Sequence, residues 1–144
     1  YCVSGARLLA GEPEHVYGEQ VITDSGVDGL FAGSLRFPGG VFGHFHCGLF
    51  LQHQDELEAI GDEGSVFVDD PWHCLDTVIE VRRAAGVERI QVDEADSYRL
   101  ELENMSDAIR GETEPLLGRD DALAQARTIE ALYRSAEKDA PVRV

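Results

Sequence analysis

Lysine, methionine and tryptophan each occur once in these 144 residues, as Lys138, Met105 and Trp72, and 12 basic residues face 28 acidic ones for a formal charge of −16. So acidic a chain repels phosphate backbones and anionic membranes, which argues against nucleic acid as a partner. No apolar run approaches the roughly 20 residues of a membrane helix, and the N-terminus lacks the basic-then-apolar order of a signal peptide. Cysteine is scarce as well. Cys2, Cys47 and Cys74 are an odd number with no CxxC pair, so neither a disulfide framework nor a zinc knuckle is suggested and a reducing, cytoplasmic setting fits. No P-loop or dinucleotide fingerprint occurs, and Gly61-Asp62-Glu63-Gly64 puts acids where a phosphate cradle needs bare N–H groups. The first residue is Tyr1 rather than Met, which points to processing or to a piece of a longer polypeptide.

What remains is an ordinary globular composition, 43% hydrophobic and 28% charged, long enough for one domain that buries roughly 70% of its unfolded surface. Residues 1–10 are small and apolar and end at Gly11 with Pro13 behind it, as a helix does. From Glu14 to about Val92, period-two runs broken by Gly, Pro and Asp predict strands over 14–23, 28–37, 41–51, 54–60, 65–69, 77–83 and 87–92. The turn Pro38-Gly39-Gly40 sets Phe37 against Val41. That register places Phe31, Gly33, Leu35 and Phe37 on a core face with Val41, Gly43, Phe45 and Cys47. Ala32, Ser34 and Arg36 share the opposite, open face with Phe42, His44 and His46. Apolar stripes through Tyr98, Leu102, Met105 and Ile109, and through Ala122, Ala126, Ile129 and Tyr133, predict two closing helices able to cover the core face. The fold class is α+β, a mostly antiparallel open-faced sheet with helices covering one face.

Two chemistries compete for the histidines. His44 and His46 lie two apart on one strand and point the same way, and His53 and His73 could complete a metal cluster. The simpler reading has His44 and His46 hydrogen-bonding on an open or intersubunit face, so no metal ligand is assigned. Asp69-Asp70, bordering Pro71, and Asp120-Asp121, at a helix start, read as structural. Trp72, in a loop between two strands, either packs or lines a cleft.

Several strings in their order resemble the C-terminal domain of the Gfo/Idh/MocA family, the glucose-fructose oxidoreductase and inositol dehydrogenase relatives. They are YCVSGARLLAGE from Tyr1 to Glu12, Gly26-Val27-Asp28, Arg36-Phe37-Pro38-Gly39-Gly40, Gly61-Asp62-Glu63-Gly64-Ser65 and Arg119-Asp120-Asp121-Ala122-Leu123. The loop at Pro71-Trp72 and the initial tyrosine look closest to the dihydrodiol and xylose dehydrogenase branch. The resemblance implies a glyceraldehyde-3-phosphate dehydrogenase-like C-terminal domain, following a Rossmann domain absent from this chain. It also implies an NAD- or NADP-dependent dehydrogenase acting on a sugar, polyol or diol, with residues 1–144 inactive alone and without bound cofactor.

Tyr1 matches the family's acid/base position, while the upstream Asp and the Lys of the family's Glu-Lys-Pro motif are not among these residues. A tyrosine hydroxyl ordinarily ionises near pH 10 and needs a neighbouring cation to act as a base. By the same analogy Trp72, Asp93 and Tyr98 fall on the substrate side, and Arg36, His44 and His46 on a homodimer or higher interface. A non-catalytic, dimeric binding or assembly module is the alternative.

Overall fold

A computed structural model describes all 144 residues, from Tyr1 to Val144. In chain order the elements are α1 (Cys2–Ala10), β1 (His15–Ile22), β2 (Asp28–Arg36), a 3-10 turn (Pro38–Gly40), β3 (Phe42–Gly48), β4 (Glu56–Gly61), β5 (Gly64–Asp69), β6 (Val78–Arg83), β7 (Gly86–Gln91), α2 (Ser97–Arg110), α3 (Arg119–Lys138) and β8 (Val142–Arg143). The strands form two antiparallel four-stranded sheets, β3-β2-β1-β8 and β4-β5-β6-β7. The chain divides into two compact units, residues 1–52 with 119–144, and residues 53–118.

In the first unit the expected register holds. Phe31, Gly33 and Leu35 pair with Cys47, Phe45 and Gly43, and the Phe37 N–H donates to the Val41 carbonyl at 2.8 Å across a turn whose Gly39 and Gly40 take φ of 74° and 79°. Only glycine enters that left-handed region without strain. The core face carries Val16, Phe31, Leu35 and Phe37, closed by Val3 of α1 and by Ala131 and Leu132 of α3. Thr128, Ala131, Leu132 and Ser135 are the buried residues of α3, spaced i, i+3, i+4, i+7 as one helix face demands. Its two buried hydroxyls are satisfied. Thr128 Oγ1 donates to the Ala124 carbonyl at 3.0 Å, and Ser135 Oγ accepts from the Gly18 N–H at 3.0 Å while donating to the Ala140 carbonyl at 2.7 Å.

Gly18 is where α3 rests on β1. A methyl group there would stand 2.6 Å from the Leu132 carbonyl oxygen and 2.9 Å from the Phe31 ring, and a helix backbone cannot yield as a side chain can.

The second unit has no fully buried residue. Leu57, Val68, Ile79 and Ile90 line up across its sheet in one row, and Ala59, Val66 and Val81 in the next, giving one apolar face. The alternate residues Glu58, Phe67, Glu80 and Arg89 make the other. There Glu80 accepts from Arg82 and Arg89 at 2.8 and 2.9 Å, and the Arg82 guanidinium lies 4.0 Å above the Phe67 ring. These contacts hold the Glu80 carboxyl below its ordinary range, with the Arg82 hydrogen bond the largest cause.

Three expectations change. The strands form two sheets rather than one, since no ladder joins β1, β2, β3 or β8 to β4, β5, β6 or β7. The α2 helix buries none of its residues, so α1 and α3 alone cover the first sheet. Cys47 and Val41 keep their expected places opposite Phe31 and Phe37 but both are exposed, since they stand at the two ends of β3.

Candidate functional site

Tyr1 is the N-cap residue of α1. Its carbonyl accepts the first helical hydrogen bond, from the Gly5 N–H at 2.8 Å, so the backbone is fixed by the helix while the residue stays 72% exposed.

The helix is itself fixed, because Val3 and Arg7 face inward from it. The Arg7 side chain is 6% exposed. Its Nε and Nη2 donate to Glu12 at 2.9 and 2.7 Å, Nη2 also to Asp121 Oδ1 at 2.9 Å, and Nη1 to Gln125 Oε1 at 2.8 Å. Hydrogen bonding to Glu12, then to Asp121, outweighs desolvation and raises the Arg7 pKa above its ordinary value. Planar, forked and permanently charged, a guanidinium suits such a junction where lysine would not. The link ties the end of α1 to the start of α3. Asp121 thereby does more than stabilise a helix N-terminus. The sequence offered no signal for this pairing, since Asp121 and Gln125 lie more than a hundred positions from Arg7.

The predicted interface residues lie on the same unit. Arg36, His44 and His46 are exposed, and the register sets Ala32 against His46, Ser34 against His44 and Arg36 against Phe42. Phe42 is 73% exposed among them.

The predicted substrate-side residues all belong to the second unit but to three separate segments. Trp72 is half-buried in the β5–β6 connection, Asp93 is exposed after β7, and Tyr98 is exposed in the first turn of α2. Asp96 caps that helix by accepting from the Arg99 N–H at 3.0 Å. The groove beside Tyr98 is lined by Asp96, Arg99, Leu102, Glu103 and their neighbours, all from α2 and its cap. A groove walled by one helix encloses nothing on its own.

The Trp72 loop is shaped by Asp70, whose carboxylate accepts the backbone N–H groups of His73 at 3.2 Å and Leu75 at 3.1 Å. Desolvation pushes the Asp70 carboxyl up, but the His73 ring and these two N–H groups prevail and hold it below its ordinary range. These bonds shape the loop, and the same carboxylate contacts His73 Nδ1 at 2.7 Å. The four histidines considered together in the sequence separate, with His44 and His46 on β3 of one unit and His53 and His73 in the other.

The profile of an oxidoreductase family's C-terminal α/β domain, Gfo/Idh/MocA, matches residues 3–144 and so spans both units. The chain is 28% identical over its whole length to the NADP(+)-dependent D-xylose 1-dehydrogenase 2 of Haloferax volcanii, of which it covers 46%. With 96% of its length it is 30% identical to an oxidoreductase of Rhizobium meliloti, covering 44% of that protein. It thus spans just under half the length of these relatives. Its fold matches an aldose-aldose oxidoreductase from Caulobacter crescentus, crystallised with glycerol, at a TM-score of 0.86 and 22% identity, over 99% of this chain and 46% of the other. With the family model matched from residue 3 to residue 144, the chain belongs to the Gfo/Idh/MocA oxidoreductase family, as its C-terminal α/β domain.

Proposed function

We propose that this chain is the substrate-binding and assembly domain of an NAD(P)-dependent dehydrogenase acting on a sugar, polyol or diol, and that a Rossmann domain precedes it in the working enzyme. The observation that carries this is the similarity to a D-xylose dehydrogenase along the whole of this chain and under half of that protein.

These residues do not fit a dinucleotide. Gly61 and Gly64 sit in the β4–β5 hairpin with Asp62 and Glu63 between them, acids that repel a pyrophosphate rather than cradle it. We place nicotinamide binding, and the hydride chemistry it would supply, in the preceding domain. The first unit's part is to present Tyr1 to the substrate hydroxyl and exchange its proton; Trp72, Asp93 and Tyr98 are the second unit's candidates for substrate contact. Calorimetry tests the division of labour. NADP(+) should give no binding heat with the 144-residue chain, and should bind with xylose-dependent reduction in the polypeptide that carries a preceding domain. Micromolar binding to the 144 residues alone, or a native polypeptide no longer than this chain, overturns it.

The open face of the first sheet is the proposed subunit interface. Self-association through Arg36, Phe42, His44 and His46 should weaken at least about tenfold in His44→Glu or Arg36→Glu, since placing a like charge or an unpaired carboxylate in a closed face costs on the order of 1–3 kcal/mol. Sedimentation velocity across a concentration series reads the change. An unaltered distribution in both variants removes these residues from the interface.

A further inference from the structure

The approach to β4 and the loop between β5 and β6 bring together two histidines and two carboxylates that the dehydrogenase reading does not use. The Asp70 N–H donates to the Asp55 carbonyl at 2.8 Å, so the backbone already joins the two segments. Around that link, His73 Nδ1 lies 2.7 Å from Asp70 Oδ1 and 3.4 Å from Asp55 Oδ2, and His53 Nε2 lies 3.4 Å from the same Asp55 oxygen. One donor atom each from Asp55, Asp70 and His73 falls within 4.8 Å of the other two. The two rings are 6.2 Å apart between centroids.

Four donors tetrahedrally arranged at about 2.0–2.1 Å from a metal stand about 3.3–3.4 Å from one another. Two of the three contacts already have that separation. The third, between His73 and Asp70, has the length of a hydrogen bond and opens by roughly 0.7 Å when a metal replaces the shared proton.

The oxygen donors are set before any metal arrives. Asp55 and Asp70 are half-buried, and Asp70 is oriented by the His73 and Leu75 N–H groups, one on each carboxylate oxygen. The backbone groups leave a lone pair on each oxygen. A mixed imidazole and carboxylate set suits zinc and its neighbours, whereas calcium and magnesium take oxygen alone.

We propose that Asp55, Asp70 and His73, with His53 at the rim, bind one divalent transition-metal ion of the zinc class. The ion ties the β5–β6 loop to the start of β4, and with it the position of Trp72, which lies between Asp70 and His73. This differs from a centre on His44 and His46, which lie in the other unit.

The full chain, stripped with a chelator, should take up one Zn2+ per molecule by calorimetry, release protons on doing so and shift Trp72 emission in step. Co2+ in place of zinc should give the strong visible absorption of a tetrahedral site. His73→Ala should lower zinc affinity at least about 100-fold and Asp55→Asn at least about tenfold, while the double variant His44→Gln/His46→Gln binds as the parent does. Circular dichroism confirms that each variant is folded, with His73→Gln replacing His73→Ala should the latter unfold. Absence of stoichiometric uptake, uptake indifferent to substitution at His73, or uptake lost in the His44/His46 variant overturns the proposal.

Discussion

Replacing Tyr1 by phenylalanine in the longer protein is expected to lower kcat by roughly 10²–10⁴, the contribution of a positioned acid or base. The substitution removes one hydroxyl and keeps the ring. The backbone carbonyl with which Tyr1 caps α1 is left in place. Nucleotide affinity should stay at the parental value. If the drop is under about fivefold, Tyr1 does not carry the proton and the acid/base group lies elsewhere. A fall in nucleotide affinity together with kcat would instead assign it a binding role.

Phe37→Ala should destabilise the first unit by about 3–5 kcal/mol, the usual cost of emptying a buried aromatic position. Phe37 is 1% exposed and packs within the cluster of Val16, Phe31, Leu35 and Leu132. Its position before the Pro38–Gly40 turn leaves little freedom to collapse into the cavity. Against a typical total of about 5–15 kcal/mol, that is roughly a fifth or more of the stability. The comparison is Phe42→Ala, five residues on and exposed, expected within about 0.5 kcal/mol of the parent for an unassociated chain. Urea titrations of the two variants at a concentration below self-association decide. A loss under about 1 kcal/mol at Phe37 would mean that the core repacks freely.

The same pair shows what the sequence made legible. Alternation around Pro38-Gly39-Gly40 put Phe37 inward and Phe42 outward, and strict period two carried the register through β2 and β3. Seven strands and three helices follow from such local signals. The eighth strand did not, because two residues hold no period. The break into two sheets was also hidden, since hydrogen bonding between strands leaves no mark within either one.

Sites fared less evenly for a similar reason. Tyr1 is proposed because a motif surrounds it. The Arg7 junction and the meeting of Asp55, Asp70 and His73 are products of tertiary placement. His73 looked like a partner for His44, two apart from His46 on a strand, until the chain was seen to carry them into different units. The α2 stripe through Leu102, Met105 and Ile109 is amphipathic as read, yet these side chains are exposed. An apolar stripe states that something favours covering it, not what does.

The first unit takes its sequence from both sides of the second, which matters during synthesis. Everything needed for residues 53–118 has been made once Gly118 is added, but the pocket that receives Leu132 stays open until α3 follows. Val16, Leu35 and Phe37 thus remain wet while the ribosome completes the next eighty or so codons, the period in which a chaperone has most to protect. Closing a gap of ~66 residues rather than ten costs only about 1.7 kcal/mol of loop entropy. The burden of the discontinuous order is therefore one of timing more than of final stability.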